Sequence, residues 1–141
     1  GKELAAKATN FLSERFSNPN QAWMNFGLSG HGALATGTVF MANRILDDCG
    51  DGPFYPTQLL DHDLESSALQ TCSSPVSDYL DPIGYDMEAS AFCSSASLVS
   101  IRELIQVVKV VSDNPDHQID SFDRSSVQTL IENAMYRVLC N

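Results

Sequence analysis

Two short stretches place acidic side chains at points where a predicted strand ends. The first is 84–89 (Gly-Tyr-Asp-Met-Glu-Ala), whose acids are Asp86 and Glu88. In the second, 110–114 (Val-Val-Ser-Asp-Asn), Asp113 follows the apolar, β-branched run 104–111. Carboxylates at the carboxyl ends of neighbouring strands in an α/β sheet lie where such folds bind ligands. The two stretches are therefore candidates for one acid–base or ligand-binding site.

Each acid also has a purely structural explanation. Asp113 could turn the chain after its strand, because Asp, Asn and Pro commonly do so and Asn114 and Pro115 follow it. Glu88 could be a first-turn acid that faces the positive end of a helix dipole. On spacing alone these structural explanations are the more common ones, since single short motifs are weak evidence.

Strand and helix patterns alternate along the chain and must position these residues. Helical patterns cover about 2–16, 88–97 and 124–139, and strand patterns cover 22–28, 37–46, 68–72, 83–87 and 104–111. In the first helix, apolar side chains fall on one face (Leu4, Ala8, Phe11, Leu12 and Phe16). The alternation predicts an α/β fold, and a length of 141 residues suits a single domain.

Two loops could contact a ligand. The stretch 27–32 (Gly-Leu-Ser-Gly-His-Gly) is rich in glycine, which would let backbone N–H groups approach a ligand, although an ordinary turn explains it equally well. The aromatic pair Phe54 and Tyr55 precedes Pro56 and is either a base-stacking element or a surface loop anchored by its rings.

Composition excludes several classes of partner. The formal net charge is −10, from 8 basic and 18 acidic residues, which argues against nucleic acid or an anionic membrane as partner. No apolar run is long enough to span a bilayer, and the first residues do not resemble a signal peptide. The cysteines (Cys49, Cys72, Cys93 and Cys140) form no C-x-x-C pair or zinc-ligand spacing. We expect reduced thiols, no metal and a cytoplasmic location.

Three motifs in a fixed order carry a family resemblance. Gly1-Lys2 leads a helix and is followed by 24–30 (Met-Asn-Phe-Gly-Leu-Ser-Gly); then come "DMEA" before a helix and a strand that ends in "VSDN". This set resembles the purine nucleoside phosphorylase and methylthioadenosine/adenosylhomocysteine nucleosidase superfamily. The resemblance implies a three-layer α/β/α sandwich around a central, mixed and partly barrel-like sheet.

The resemblance also implies that the first strands of the fold are missing here. Family members form two or three strands before the position of Gly1, so we expect 1–141 to be one nucleoside phosphorylase-like domain that is N-terminally incomplete relative to the family. A sheet without those strands would expose an edge, which a partner subunit would cover.

The family pattern assigns a role to each residue of the two acidic motifs. Asp113 would protonate the leaving base as a general acid, and Ser112 would orient it. Glu88 would accept hydrogen bonds from the ribose hydroxyls. Met87 would pack against the sugar, although simple core packing explains this residue as well, and Asp86 would help position the sugar.

The same pattern places further residues around the ligand. Ser29 and Gly30 would lie near the ribose and the attacking group. Val76, with Ser73 and Ser74, would line the base pocket. At this point the chain departs from the usual Gly-Asp-aromatic pattern of the nucleosidases, so the identity of the base stays open.

The function implied is a purine-type nucleosidase that cleaves the N-ribosidic bond of a methylthioadenosine- or adenosylhomocysteine-like nucleoside. One alternative is a phosphorylase with phosphate as co-substrate, for which Arg44 and Arg102 are the only candidate anion ligands we identify. Another is a truncated, non-catalytic subunit that binds nucleosides or acts in assembly. We expect no cofactor, a small-molecule nucleoside as partner, and a homo-oligomer.

Overall fold

The computed structural model describes residues 1–16, 18, 20–50, 52–58, 62–117 and 124–139. Its helices are α1 (Lys2–Arg15), α2 (Ala89–Ala96) and α3 (Arg124–Leu139), and a short 3-10 turn spans Arg102–Leu104. Its strands are β1 (Trp23–His31), β2 (Val39–Asp47), β3 (Glu65–Thr71), β4 (Gly84–Asp86) and β5 (Ile105–Asp113). No described helix has the length and apolar character needed to cross a membrane.

The five strands form one mixed sheet in the order β1-β4-β3-β2-β5, and β5 pairs again with β1. The pairs β1–β5, β2–β3 and β3–β4 are parallel, whereas β1–β4 and β2–β5 are antiparallel. The α/β class and the mixed sheet are thereby confirmed. The sheet closes into a barrel, so each described strand has two neighbours. The exposed edge that we expected is therefore absent from these strands, and the sandwich stays an unconfirmed description.

Strand β5 separates two apolar clusters because its side chains alternate between the faces of the sheet. Val107 and Val111 belong to the cluster that contains Phe92 of α2. Val108 and Val110 belong to the cluster that contains Ala134 of α3. The helices therefore cover opposite faces of this strand and hold its carboxyl end in place.

Several strands are longer than the sequence pattern predicts. β1 continues through most of the glycine-rich stretch to His31, so the predicted tight loop there is wrong. Its pairing with β5 shifts by one residue between Ser29 and Gly30, where Ser112 of β5 has no partner on β1. β3 begins at Glu65 inside a stretch that looked irregular. Parallel pairing with β2 explains this extension, because β2 supplies hydrogen-bond partners for the backbone of these residues. Their polar side chains give no strand pattern in the sequence.

Helix α1 forms as predicted, but its apolar face is not the face that packs. Leu4 is 71% exposed and Phe11 is 60% exposed, whereas Thr9 is buried and Ala5 and Ala6 are half-buried. The helix contacts α2, and small side chains permit the close approach. The larger apolar residues of α1 consequently remain at the surface.

Candidate active site

One cavity of about 230 Å³ lies where β1, β4 and β5 meet the segment between β3 and β4. Eight of the residues that the sequence and its family resemblance singled out line this cavity: Ser29, Gly30, Val76, Asp86, Met87, Glu88, Ser112 and Asp113. Leu28, Cys72, Ser74, Pro75, Tyr79 and Tyr85 complete the wall. Their grouping is an observation; their contacts with a ligand stay predictions.

The strand order explains why two distant motifs meet. β1 lies between β4 and β5, and Gly30 near its end is paired with Tyr85 on one side and with Asp113 on the other. The residues that follow Tyr85, namely Met87 and Glu88, therefore leave β4 beside the end of β5. The shared neighbour β1 brings the two acidic motifs to one place.

Asp113 is not a turn residue. Its Oδ1 accepts a hydrogen bond from the Ser112 hydroxyl, and its Oδ2 accepts one from the Tyr79 hydroxyl. The turn that follows is made by Asn114, whose Oδ1 accepts the backbone N–H groups of Asp116 (3.1 Å) and His117 (2.8 Å). Asn114, rather than Asp113, therefore makes the turn after β5, and the Asp113 carboxylate lies in the cavity wall.

Asp86 has a structural task that the family pattern did not suggest. Its side chain is 0% exposed, and its Oδ2 lies 2.7 Å from Nζ of Lys109, which is 2% exposed. The same carboxylate accepts hydrogen bonds from the Thr71 hydroxyl (2.7 Å) and from the backbone N–H of Ala89 (2.9 Å). With its oxygens engaged inside the protein, Asp86 can position the sugar only indirectly, through the chain that carries Met87 and Glu88.

Glu88 makes no side-chain hydrogen bond to the helix that it precedes. It stands at the N-cap of α2, yet its side chain makes no capping hydrogen bond, because Asp86 accepts the bond from Ala89 instead. Its side chain is 37% exposed, and its Oε1 lies 2.7 Å from the backbone nitrogen of Gly1. The beginning of α1 thus adjoins the cavity, next to a carboxylate that can accept further hydrogen bonds.

Two smaller side chains add polar character to the wall. The Ser29 hydroxyl is buried and has no hydrogen-bond partner among the described residues, and a buried polar atom without a partner points to a ligand or a water. Burial, and then the nearby carboxylates of Asp48 and Asp86, raise the pKa of the Cys72 thiol. Cys72 is therefore a neutral, weakly polar wall residue at pH 7 rather than a thiolate nucleophile.

Several other candidates lie outside the cavity. Phe54 pairs with Ile45 and carries the guanidinium of Arg102 over its ring at 5.5 Å, which fits the anchored surface loop rather than base stacking. Arg44 is exposed and does not line the cavity either. Ser73 donates its backbone N–H and its hydroxyl to Asp48 at 2.6 and 3.0 Å, so of the predicted base-pocket residues only its neighbours remain in the wall.

A separate acidic group at the end of β2 could in principle hold a cation. Asp47, Asp48 and Cys49 bring ligand atoms within 4.8 Å of one another. The ammonium of Lys2 already lies among them, 2.9 Å from Asp47 and 2.5 Å from Asp48. The lysine thus supplies the positive charge that this group requires.

Sequence reasoning did not identify Tyr79 in the cavity wall or Lys109 behind it. Lys109 left a visible signal, because a lysine in the middle of an apolar strand must either be exposed or meet a buried acid. Tyr79 left none, since the segment 72–83 has no periodic pattern from which its direction could be inferred.

No protein-family model matches the chain, and no curated protein matches it in sequence. Solved structures do match. The methylthioadenosine nucleosidase of Chlamydia trachomatis with MTA bound is 18% identical at a TM-score of 0.70, over 92% of this chain and 69% of that one. The MTA/SAH nucleosidase of S. pneumoniae with a transition-state inhibitor is 17% identical at 0.69, over 99% and 74%.

A third structure, the MTA/SAH nucleosidase of Colwellia psychrerythraea in complex with adenine, is 15% identical at a TM-score of 0.67, over 97% of this chain and 70% of that one. Identities this low establish shape and not activity. The chain has the fold of the MTA/SAH nucleosidases, the fold that its three ordered motifs predicted.

Proposed function

We propose that this chain cleaves the N-ribosidic bond of a purine-type nucleoside, of the methylthioadenosine or adenosylhomocysteine kind or related to it. The observation that carries the proposal is the pairing of two differently placed carboxylates, Asp113 and Glu88, in one cavity of a nucleosidase fold. Asp86, the third acid in the wall, is neutralised by Lys109 and leaves these two for chemistry.

The two carboxylates have separate roles in the proposed reaction. Breaking the bond between the sugar and the base places positive charge on the ribose and negative charge on the departing base. As the bond to the base breaks, Asp113 acts as the general acid and gives its carboxyl proton to the base, and Ser112 holds Asp113 in place. Water bonds to the sugar carbon that the base leaves, and the proton that this water loses returns to Asp113. Glu88 accepts hydrogen bonds from the ribose hydroxyls, and these bonds strengthen as the sugar becomes cationic.

The charge of the cavity favours water over phosphate as the attacking group. None of the described residues in its wall is Lys, Arg or His, whereas Glu88 and Asp113 contribute carboxylates. A phosphate anion would have to enter beside these acids without a basic side chain in the wall, which is electrostatically unfavourable. Arg44 and Arg102, the two possible phosphate ligands, do not line the cavity. Hydrolysis of an uncharged nucleoside is the reaction that this wall suits.

Base release from adenosine, inosine, methylthioadenosine and adenosylhomocysteine, with and without phosphate, tests the proposal. We expect release without phosphate, its loss in Asp113→Asn, and weaker binding together with a lower rate in Glu88→Gln. Asp116→Asn and Glu103→Gln are matched controls, because both side chains are exposed and outside the cavity. A fully active Asp113→Asn variant would refute the assignment of the acid. Release only with phosphate would indicate a phosphorylase, and binding without release a non-catalytic subunit.

We also propose that the chain forms a homo-oligomer. The support is the outer face of α1, where Leu4 and Phe11 are 71% and 60% exposed although the helix already packs on α2 through its small residues. Exposed apolar patches of this kind mark association surfaces. Sedimentation velocity should show an oligomer for the unmodified chain and a smaller species for Phe11→Asp. A monomer in both cases would refute the proposal.

A further inference from the structure

Tyr79 stands in the cavity against the proposed acid. It belongs to the segment between β3 and β4, and its hydroxyl donates a hydrogen bond to Oδ2 of Asp113. Its ring packs against that of Tyr85 with the centroids 5.3 Å apart. Burial, and then the bond to Asp113, raise the pKa of the Tyr79 phenol, so the hydroxyl keeps its proton at neutral pH.

The place that the ring occupies exists because position 30 is a glycine. A Cβ built on Gly30 would lie 2.5 Å from Cε1 and Cζ of the Tyr79 ring, a distance at which one of them must move. Gly30 is also the residue paired with both Tyr85 and Asp113. The glycine that the family resemblance assigned to ligand contact therefore makes room for a side chain of the protein itself.

Two consequences bear on ligand binding. Ser112 donates to one oxygen of Asp113 and Tyr79 donates to the other, so both oxygens are engaged before any base arrives. With Tyr79 in its wall, the cavity measures about 230 Å³, below the roughly 300–1,000 Å³ of most small-molecule sites. A carboxylate oxygen can accept more than one hydrogen bond, but the Tyr79 hydroxyl lies in the cavity wall at Oδ2 of Asp113, so a base that bonds to this oxygen competes with the hydroxyl for its place.

We propose that Tyr79 is an internal competitor for the acid: its hydroxyl closes the site, and a bound nucleobase replaces it at Asp113. This inference rests on the proposed function. Only molecules whose Tyr79 has left Asp113 can bind the base, so the apparent affinity falls by the fraction of such molecules. Tyr79 thereby acts on binding through Asp113, as a positioning residue.

The test is the dissociation constant of adenine, measured by isothermal titration calorimetry. Adenine is not turned over, so its binding separates affinity from catalysis. In Tyr79→Phe the ring remains and only the competing hydroxyl is lost, and we expect adenine to bind about fivefold more tightly or better. Tyr55→Phe and Tyr136→Phe are matched controls, because both tyrosines are exposed and outside the cavity; each should bind adenine as the unmodified chain does.

Two further measurements show whether Tyr79 acts through Asp113. In an Asp113→Asn background, the gain from Tyr79→Phe should shrink, because the hydroxyl then has no carboxylate to hold. In the nucleoside assay, Tyr79→Phe should lower KM by a larger factor than it changes kcat. An adenine affinity that is unchanged or weaker in Tyr79→Phe would overturn the inference, since it would make the hydroxyl neutral or part of the occupied site.

Failure of this inference can be told from failure of the proposed function. Base release with an unchanged adenine affinity in Tyr79→Phe would refute the competitor and leave the nucleosidase standing. Tighter adenine binding in Tyr79→Phe without base release from any nucleoside would support the competitor and refute the catalytic proposal. Adenine binding to neither the unmodified chain nor Tyr79→Phe, without base release, would refute both.

Discussion

Removal of the lysine from the buried Lys109–Asp86 pair should be one of the most damaging single substitutions in this fold. The two charged atoms are 2.7 Å apart, and the side chains are 2% and 0% exposed. Lys109→Met keeps most of the volume but leaves Asp86 with only the Thr71 hydroxyl and the Ala89 N–H as donors. Loss of one partner from a buried ion pair typically costs about 3–5 kcal/mol, because the remaining charge is uncompensated.

This cost is large against the whole stability of a domain, which is about 5–15 kcal/mol. It corresponds to a fall in Tm of about 10–20 °C for a chain of this size. Urea unfolding followed by the fluorescence of Trp23 measures the loss of stability directly. Trp23 is the single tryptophan, and it is buried in the apolar cluster that contains Phe92 of α2. The double variant Lys109→Met/Asp86→Asn, which removes both charges, should recover part of the loss.

The matched control is Lys7→Met, which deletes a lysine from another close pair. Lys7 lies 2.5 Å from Glu3, but the two side chains are 68% and 80% exposed. Water screens such a pair, so this substitution should change little. Equal effects of Lys109→Met and Lys7→Met would refute the reasoning, and so would a double variant whose loss equals the sum of the single losses.

Three other substitutions test separate parts of the fold and the site. Burial lowers the pKa of His31 below 6.5, so as the pH falls the imidazole takes up a proton in the unfolded chain before it does so in the folded one. The free energy of unfolding should therefore fall as the pH drops below 6.5. His31→Asn should flatten this pH dependence in urea titrations at pH 7 and pH 5. In an Asp113→Asn background, which should not cleave the nucleoside, Ser29→Ala should weaken adenosine binding measured by calorimetry without lowering Tm, because the hydroxyl has no partner among the described residues; a lower Tm would contradict this. Gly84→Ala should lower the free energy of unfolding in urea by about 1–3 kcal/mol, since its Cβ would lie 2.6 Å from Phe40 and 2.9 Å from Leu69. An unchanged unfolding midpoint would contradict this, because it would show that the core accommodates the extra methyl group without loss of stability.

Local pattern was sufficient for the element types and for the order of the motifs. The β-branched run before Asp113 became β5, and the small apolar residues after Glu88 became α2. These segments carry their own periodicity, so each needs no distant partner to be recognised. The residues gathered in the cavity followed from the family resemblance more than from the pattern, because spacing alone gave Asp113 and Glu88 ordinary structural roles.

The predictions failed where a distant partner decides the outcome. Polar Glu65 and Ser66 became part of β3 only because β2 offers a parallel edge, and the glycine-rich end of β1 stayed extended because β4 and β5 pair with it on both sides. The large apolar side chains of helix α1 lie on a face that stays exposed, and the helix packs through its small residues. The apolar pattern of the sequence therefore indicated the wrong face as the buried one. Closure of the barrel joins β1 to β5, two strands far apart in the chain, and no local signal encodes that pairing.

The three acids of the cavity show how the surroundings divide one residue type into separate tasks. Asp86 points inward, where Lys109 neutralises it and the N–H of Ala89 makes it the cap of α2. Because Asp86 accepts that bond, Glu88 two residues later makes no capping bond; it lines the cavity, with the nitrogen of Gly1 2.7 Å from its Oε1. Because Asn114 makes the turn after β5, the Asp113 side chain is not needed for that turn. The buried pair therefore fixes the end of β4, and through it the place from which Glu88 enters the cavity.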